Sequence, residues 1–311
     1  MSCLNDIMSV IPERISSAIA AVANRYRIKE LRLRVGKPVI LRSDKGEILV
    51  DSEGRESVAS KALIITEKEI REVIDRVSRF SVYAFSDYLK RGYITISGGH
   101  RVGVCGHVVT EDNHIVSMRN ISSVNIRFAH SVIGCSGKIM RYIYHGDGIN
   151  NTLIISPPGC GKTTLLRDIA VCLSDGDEQH GGLNVGICDE RSEIAACKEG
   201  IPQNYVGLRT DVLDACPKAL GMTMLLRSMN PDVIAVDELG GLQDLDAVLM
   251  LNNCGCAIVA TVHGENIEEI FEKKCFELLF ENKTFKRYVV LRDGNEPGVI
   301  AGVYDERGRE I

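Results

Sequence analysis

The segment Ser156-Pro157-Pro158-Gly159-Cys160-Gly161-Lys162-Thr163-Thr164 brings two glycines, a lysine and paired threonines together directly after an apolar run. A polyphosphate needs backbone N–H groups converging on its oxygens, and only a glycine-rich turn lets the chain curl that closely. A helix opening near Gly161 would aim its positive end at the β-phosphate. Lys162 would then reach the β- and γ-phosphates, and the Thr163 hydroxyl would ligate magnesium. Ser156 through Thr164 are therefore the expected binding segment for ATP with Mg. Loops of this kind normally begin with glycine; here that position is Ser156, which also makes turns.

Three further clusters follow apolar runs. Val233-Ile234-Ala235-Val236 ends in Asp237-Glu238. Asp237 at a strand tip suits a direct or outer-sphere magnesium partner of Thr163. Glu238 suits the carboxylate that polarises the attacking water, a general-base role beside the γ-phosphate. Ala260-Thr261-Val262-His263 closes the next run. His263 would sense or orient the phosphate if its strand lies between the loop strand and the Asp237 strand. Asp189-Glu190-Arg191-Ser192-Glu193 follows a fourth run. Ligands of open α/β sheets bind where the strands end, which makes Asp189 or Glu190 a candidate for the same site.

For these clusters to meet, the runs before them must lie parallel in one sheet. Residues 152–155, 184–188, 233–236, 257–262 and 288–291 are apolar almost throughout, and helical stretches at 162–173, 217–228 and 242–252 separate them. Such alternation predicts an α/β domain over 136–311, its parallel sheet buried on both faces. Residues 1–135 read as a smaller α+β domain. A helix is expected over 5–24 and strands over 28–35, 39–41 and 47–50. Thr66 with Glu69 three residues on is a capping box, opening a helix that carries Ile70, Val73, Ile74 and Val77. A short helix over 81–90 leads to strands over 93–97, 101–109 and 124–128, with Gly98-Gly99 turning between the first two.

Composition narrows the class. The chain has 311 residues, 45% apolar and 25% charged, with no apolar run near the ~20 residues that span a bilayer. Asp6, Glu13 and Arg14 interrupt any secretory leader, so a cytoplasmic protein is expected. Eleven cysteines include no C-x-x-C pair. They are read as reduced thiols, mostly small core residues, rather than zinc ligands. Residues 1–150 carry 22 Lys and Arg against 16 Asp and Glu, while residues 151–311 carry 15 against 26. A basic half and an acidic half fit nucleic-acid or membrane contact, or one subunit meeting the next.

Together these segments resemble the secretion-ATPase superfamily, the ring motors of type II and type IV secretion and of pili. Leu226-Arg227-Ser228-Met229-Asn230-Pro231-Asp232-Val233-Ile234 is similar to that family's approach to its Asp-Glu strand. Asp189 to Glu193 is similar to its acidic box, and Thr261-Val262-His263 to its histidine box. Lys29-Glu30-Leu31-Arg32-Leu33-Arg34-Val35-Gly36-Lys37-Pro38 and Ile96 to Val104 resemble its N-terminal domain. One departure is Asp237, where those motors usually have glycine before the glutamate. The whole-chain combination resembles, in particular, the sporulation ATPases of endospore-forming bacteria.

The resemblance implies a RecA-like P-loop domain behind a smaller α+β domain. It implies ATP hydrolysis with Mg by a homo-oligomeric ring, a hexamer. That ring would sit in the mother-cell cytoplasm against a membrane channel or secretion complex, driving assembly or transport during sporulation. It also implies catalytic arginines from the N-terminal domain, for which Arg101 and Arg119 are the candidates, then Arg127. Arg209 and Arg227 are alternatives from the second domain.

Two other functions fit the same residues. One is a nucleic-acid-directed ATPase, disfavoured because aromatics are 5%, tryptophan is absent and no basic stretch alternates with stacking residues. The other is a nucleotide-gated assembly factor with little turnover.

Overall fold

The computed structural model describes residues 2–23, 25–79, 92–112, 114–129, 132–146, 148–294 and 297–311. The chain forms two compact units, Met1–His130 and Ser131–Ile311.

The first unit begins with two helices, α1 (Ser2–Val10) and α2 (Glu13–Ala23). One helix over 5–24 was the expectation. Pro12 breaks it, because proline removes a backbone donor and pushes the residue before it out of the helical region. A six-stranded antiparallel sheet follows from β1 (Ile28–Arg34), β2 (Ile40–Ser43), β3 (Gly46–Leu49), β4 (Tyr93–Thr95), β5 (Arg101–Glu111) and β6 (His114–Arg127), in the order β3-β2-β1-β6-β5-β4. Helix α3 (Glu67–Val77) starts at Thr66, whose hydroxyl accepts from the Glu69 backbone while Glu69 reaches back to the Thr66 amide. Ile15, Ile19, Leu31, Leu33, Leu41, Ile70 and Val73 are fully or almost fully buried in one core. The helix expected over 81–90 lies outside the described residues. Strand β6 begins at His114, ten residues before the expected 124; residues 114–119 pair in register only with β5 and lack the apolar alternation of a strand with a buried face.

The second unit opens with α4 (Gly137–Ile143) and the short hairpin β7 (Tyr144–His145) and β8 (Gly148–Ile149). It then builds a seven-stranded sheet from β9 (Thr152–Ser156), β10 (Val185–Asp189), β11 (Thr210–Asp214), β12 (Val233–Val236), β13 (Ala257–His263), β14 (Arg287–Leu291) and β15 (Ile300–Tyr304). Their order is β11-β10-β12-β13-β9-β14-β15, parallel except for the last pair. The connecting helices are α5 (Lys162–Asp175), α6 (Lys218–Met229) and α7 (Leu242–Asn253), with the short α8 (Ile267–Glu272) and α9 (Glu277–Glu281) after β13.

Strand residues alternate between two cores. Ile154, Ile187, Ala235 and Val259 pack with Leu165, Leu166 and Ile169 of α5. Leu153, Ile155, Ile234, Ile258 and Ala260 pack with Met222 and Leu225 of α6 and Val248 and Leu251 of α7. Burial of both faces explains why these strands read as continuous apolar runs. Edge strands β11 and β15 have no such signature: Thr-Asp-Val-Leu-Asp is polar at three of its five positions, and Gly302 interrupts β15. Among the described residues, no helix is long and apolar enough to cross a membrane.

Among the cysteines, Cys160, Cys188, Cys197 and Cys256 are buried, while Cys105 and Cys254 are exposed. Burial pushes the Cys188 and Cys197 thiols up to about 12 and Cys256 to about 11, so these three behave as core residues.

Candidate active site

Strand β9 is buried along its whole length and releases the chain at Ser156 into a loop that ends where α5 begins at Lys162. Gly159 and Gly161 adopt φ of 82° and 89°, a left-handed backbone that side chains rarely tolerate. A Cβ on Gly161 would stand 2.5 Å from the Pro297 Cβ and 2.7 Å from the Gly298 nitrogen, whereas one on Gly159 would meet nothing within 4 Å. The two glycines thus do different work. Gly161 lets residues 297–298 close on the loop, where the Gly298 amide donates to the Cys160 carbonyl at 2.8 Å. Gly159 leaves open space over the loop, as a cradle for a phosphate requires.

Strand order decides which side chains meet this loop. Strand β13 lies between β9 and β12, so Thr261 is flanked by both. The Thr261 hydroxyl donates to Asp237 Oδ1 and accepts from the Glu238 amide at 2.7 Å. The Leu239 amide donates to the Thr261 carbonyl at 2.8 Å. These bonds hold Glu238 at φ 51°, a conformation uncommon outside glycine, and turn its carboxylate toward the loop. Thr163 Oγ1 donates to Asp237 Oδ2 at 2.6 Å. The Lys162 side chain is buried, and its ammonium stands 3.4 Å from Glu238 Oε1. Glu238 Oε2 accepts from the Arg191 guanidinium at 2.9 Å.

His263 pairs in register with Ser156, and its Nδ1 donates to the Ser156 carbonyl at 3.1 Å. In the neutral ring that bond puts the acceptor lone pair on Nε2. Lys273 donates to the His263 carbonyl at 2.7 Å. Pro157, Pro158, His263 and Lys273 line an open cleft beside the loop. Asp189, Glu190, Arg191, Glu193, Lys218, Asp237 and Glu238 line a smaller pocket at the same sheet edge.

Asp189 is organised as a staple rather than a projecting group. It is buried, and its carboxylate accepts from the amides of Glu193, Ile194 and Ala195 at 2.7, 3.0 and 2.8 Å. Burial pushes the Asp189 carboxyl above its ordinary value, opposed by those three donors. Glu190 is paired with Lys218. Asp189→Ala strands the Ile194 and Ala195 amides in a buried loop, which costs about 3 kcal/mol. The expected result in urea is a lower unfolding midpoint with an unchanged slope.

Arg101 lies on β5 opposite Arg127, its guanidinium 4.6 Å from the centre of the Tyr93 ring. Arg119 lies on β6 opposite His107. Arg209 donates to the Ser174 carbonyl at 2.8 Å, near the end of α5 and about 18 Å along the helix from Lys162. Arg227 sits in the last turn of α6.

Sequence reasoning missed three contributors: the two hydrogen bonds of the Thr261 hydroxyl, the pairing of Arg191 with Glu238, and the closure of 297–298 on the loop. Only the last had a local signal, the turn-forming Pro297-Gly298.

A hydroxyl and a carboxylate 2.6 Å apart are hard oxygen donors of the kind magnesium takes, completing its shell with water and phosphate oxygens. Among the described residues no three His, Cys, Asp or Glu side chains gather as a metal cage, and magnesium held beside a triphosphate needs none. Glycine loop, lysine at a helix start, and a strand-end Asp-Glu two strands away define the P-loop nucleoside-triphosphatase fold.

The solved structures agree on that class. The pilus retraction motor PilT with bound ADP superposes with a TM-score of 0.59, at 14% identity over 88% of this chain and 77% of PilT. The ATPase DotB of Legionella pneumophila gives 0.54, at 15% identity over 90% of this chain and 77% of DotB. At that identity the likeness is one of fold. The chain belongs to the family described as "Sporulation stage III, protein AA", whose model matches residues 3–311. It is 38% identical over 310 residues to stage III sporulation protein AA of Bacillus subtilis (strain 168), covering 99% of this chain and 97% of that protein.

Proposed function

We propose that this chain is a magnesium-dependent ATPase that converts hydrolysis into movement of its smaller domain, residues 1–135, against the P-loop domain, residues 136–311. The observation that carries the reading is the position of β13 between β9 and β12, which gathers Lys162, Thr163, Asp237 and Glu238 at one sheet edge. The loop amides and Lys162 bind the β- and γ-phosphates. Thr163 and Asp237 hold magnesium, which when bound neutralises charge between those phosphates. Glu238 takes the proton of the attacking water as the new bond to the γ-phosphorus forms and the bond to the β–γ bridging oxygen breaks. His263 reports on the γ-phosphate from the next strand.

The chain acts as a hexameric ring on the cytoplasmic face of a membrane channel assembled during sporulation, with Arg101 and Arg119 completing a site at a subunit boundary. Phosphate release by the purified chain tests this. Turnover should require magnesium, and the rate per chain should rise with protein concentration as rings assemble. Turnover without magnesium would remove the role of Thr163 and Asp237, and a flat rate per chain would remove the subunit-completed site.

A further inference from the structure

The loop 189–193 is more firmly built than a solvated charge run requires. Asp189 holds three backbone amides, Arg167 of α5 donates to the carbonyls of Glu193 and Ile194, Ser192 donates to Asp214, and Glu190 pairs with Lys218. Those bonds tie the loop to α5, β11 and α6. Arg191 instead turns to Glu238, so its frame is fixed while its long side chain stays exposed.

We propose that Arg191 is a γ-phosphate ligand supplied by the same chain, held on Glu238 in the nucleotide-free protein and transferred to the terminal phosphate when ATP binds. The inference rests on the ATPase reading above. Glu238 lies between two cations, Lys162 at 3.4 Å on one oxygen and Arg191 at 2.9 Å on the other. Lys162 is the loop lysine, so a phosphate that recruits it arrives beside the Arg191 guanidinium as well. A terminal phosphate carries more charge than a carboxylate and offers three oxygens to the planar fork of an arginine.

The existing pair does not resist the exchange. Its side chains are 66% and 39% exposed, and exposed ion pairs contribute little net stability. Transfer also has a consequence for Glu238. With a cation on each oxygen, its carboxylate is engaged on both sides, and a base must present an oxygen within hydrogen-bond reach of the water it deprotonates. Moving both cations to the phosphate releases those oxygens when water must be activated. The pairing therefore occupies the base until the γ-phosphate is present.

Binding of ADP and of a non-hydrolysable ATP analogue, each with magnesium, tests the assignment by calorimetry without turnover. Arg191→Ala should weaken the triphosphate about tenfold or more and leave ADP unchanged, and Arg191→Lys should recover only part of the loss. Glu238→Ala removes the competing carboxylate, so it should tighten the triphosphate, and the gain should vanish in the double variant. Equal loss of both nucleotides in Arg191→Ala would mean the residue acts through the fold. An unchanged ratio would mean it never reaches the phosphate; either result overturns the proposal alone. A parent chain that binds neither nucleotide would overturn the ATPase reading along with it.

Discussion

Glu238→Gln is expected to bind ATP with magnesium at least as tightly as the parent chain, because the neutral amide competes less for Arg191, and to release phosphate at least about a hundredfold more slowly. A positioned general base contributes roughly 10²–10⁴ in rate, and an amide of the same shape cannot take the proton. The substitution leaves the geometry in place, because the features that orient residue 238 are backbone features: the hydrogen bond from its N–H to the Thr261 hydroxyl and the turn closed by Leu239. The side chain is 39% exposed, so losing its charge strands no buried partner except the Lys162 ammonium, which the amide oxygen still meets. Single-turnover phosphate release separates chemistry from product dissociation. A Glu238→Gln chain that turned over at the parent rate would move the base elsewhere, with His263 the next residue to test.

The elements that carry this site were largely legible because both faces of the sheet are buried. Thr152–Ser156, Val233–Val236 and Ala257–His263 are apolar runs for the same reason that they are central strands, and turn residues bound them sharply. The order of those strands was not legible. Nothing local to Ala257–His263 says that it enters between β9 and β12, and the Thr261 bridge to Asp237 and Glu238 exists only because it does. Edge strands escaped notice because one side of each lacks a buried neighbour, so Thr210–Asp214 keeps its acids at strand positions. The spacing of Asp189 marks only a charge at a strand end; burial and three amide donors are properties of the folded loop that spacing does not encode. Arg191 sat in the same run of charges, and its carboxylate partner is 47 residues away.

Lys162→Met is expected to abolish nucleotide binding while leaving the unliganded fold as stable as the parent or more so. The ammonium is buried, and its carboxylate partner at 3.4 Å is itself shared with Arg191. A buried charge with one partial partner is a net cost that a methionine of similar volume does not incur, and Glu238 keeps Arg191 after the change. The same ammonium is worth far more once two phosphates replace that carboxylate, because the charge it meets is then larger. That outcome would mark Lys162 as serving the complex at the expense of the free protein, a stability–function conflict of the kind active sites hold. Thermal unfolding reads both halves. ATP with magnesium at a hundred times its Kd adds about 2.7 kcal/mol to the parent and raises its Tm, and it should leave the variant unmoved. A variant that unfolds well below the unliganded parent would show that Lys162 is structural, and one still stabilised by ATP would place the phosphates away from this loop.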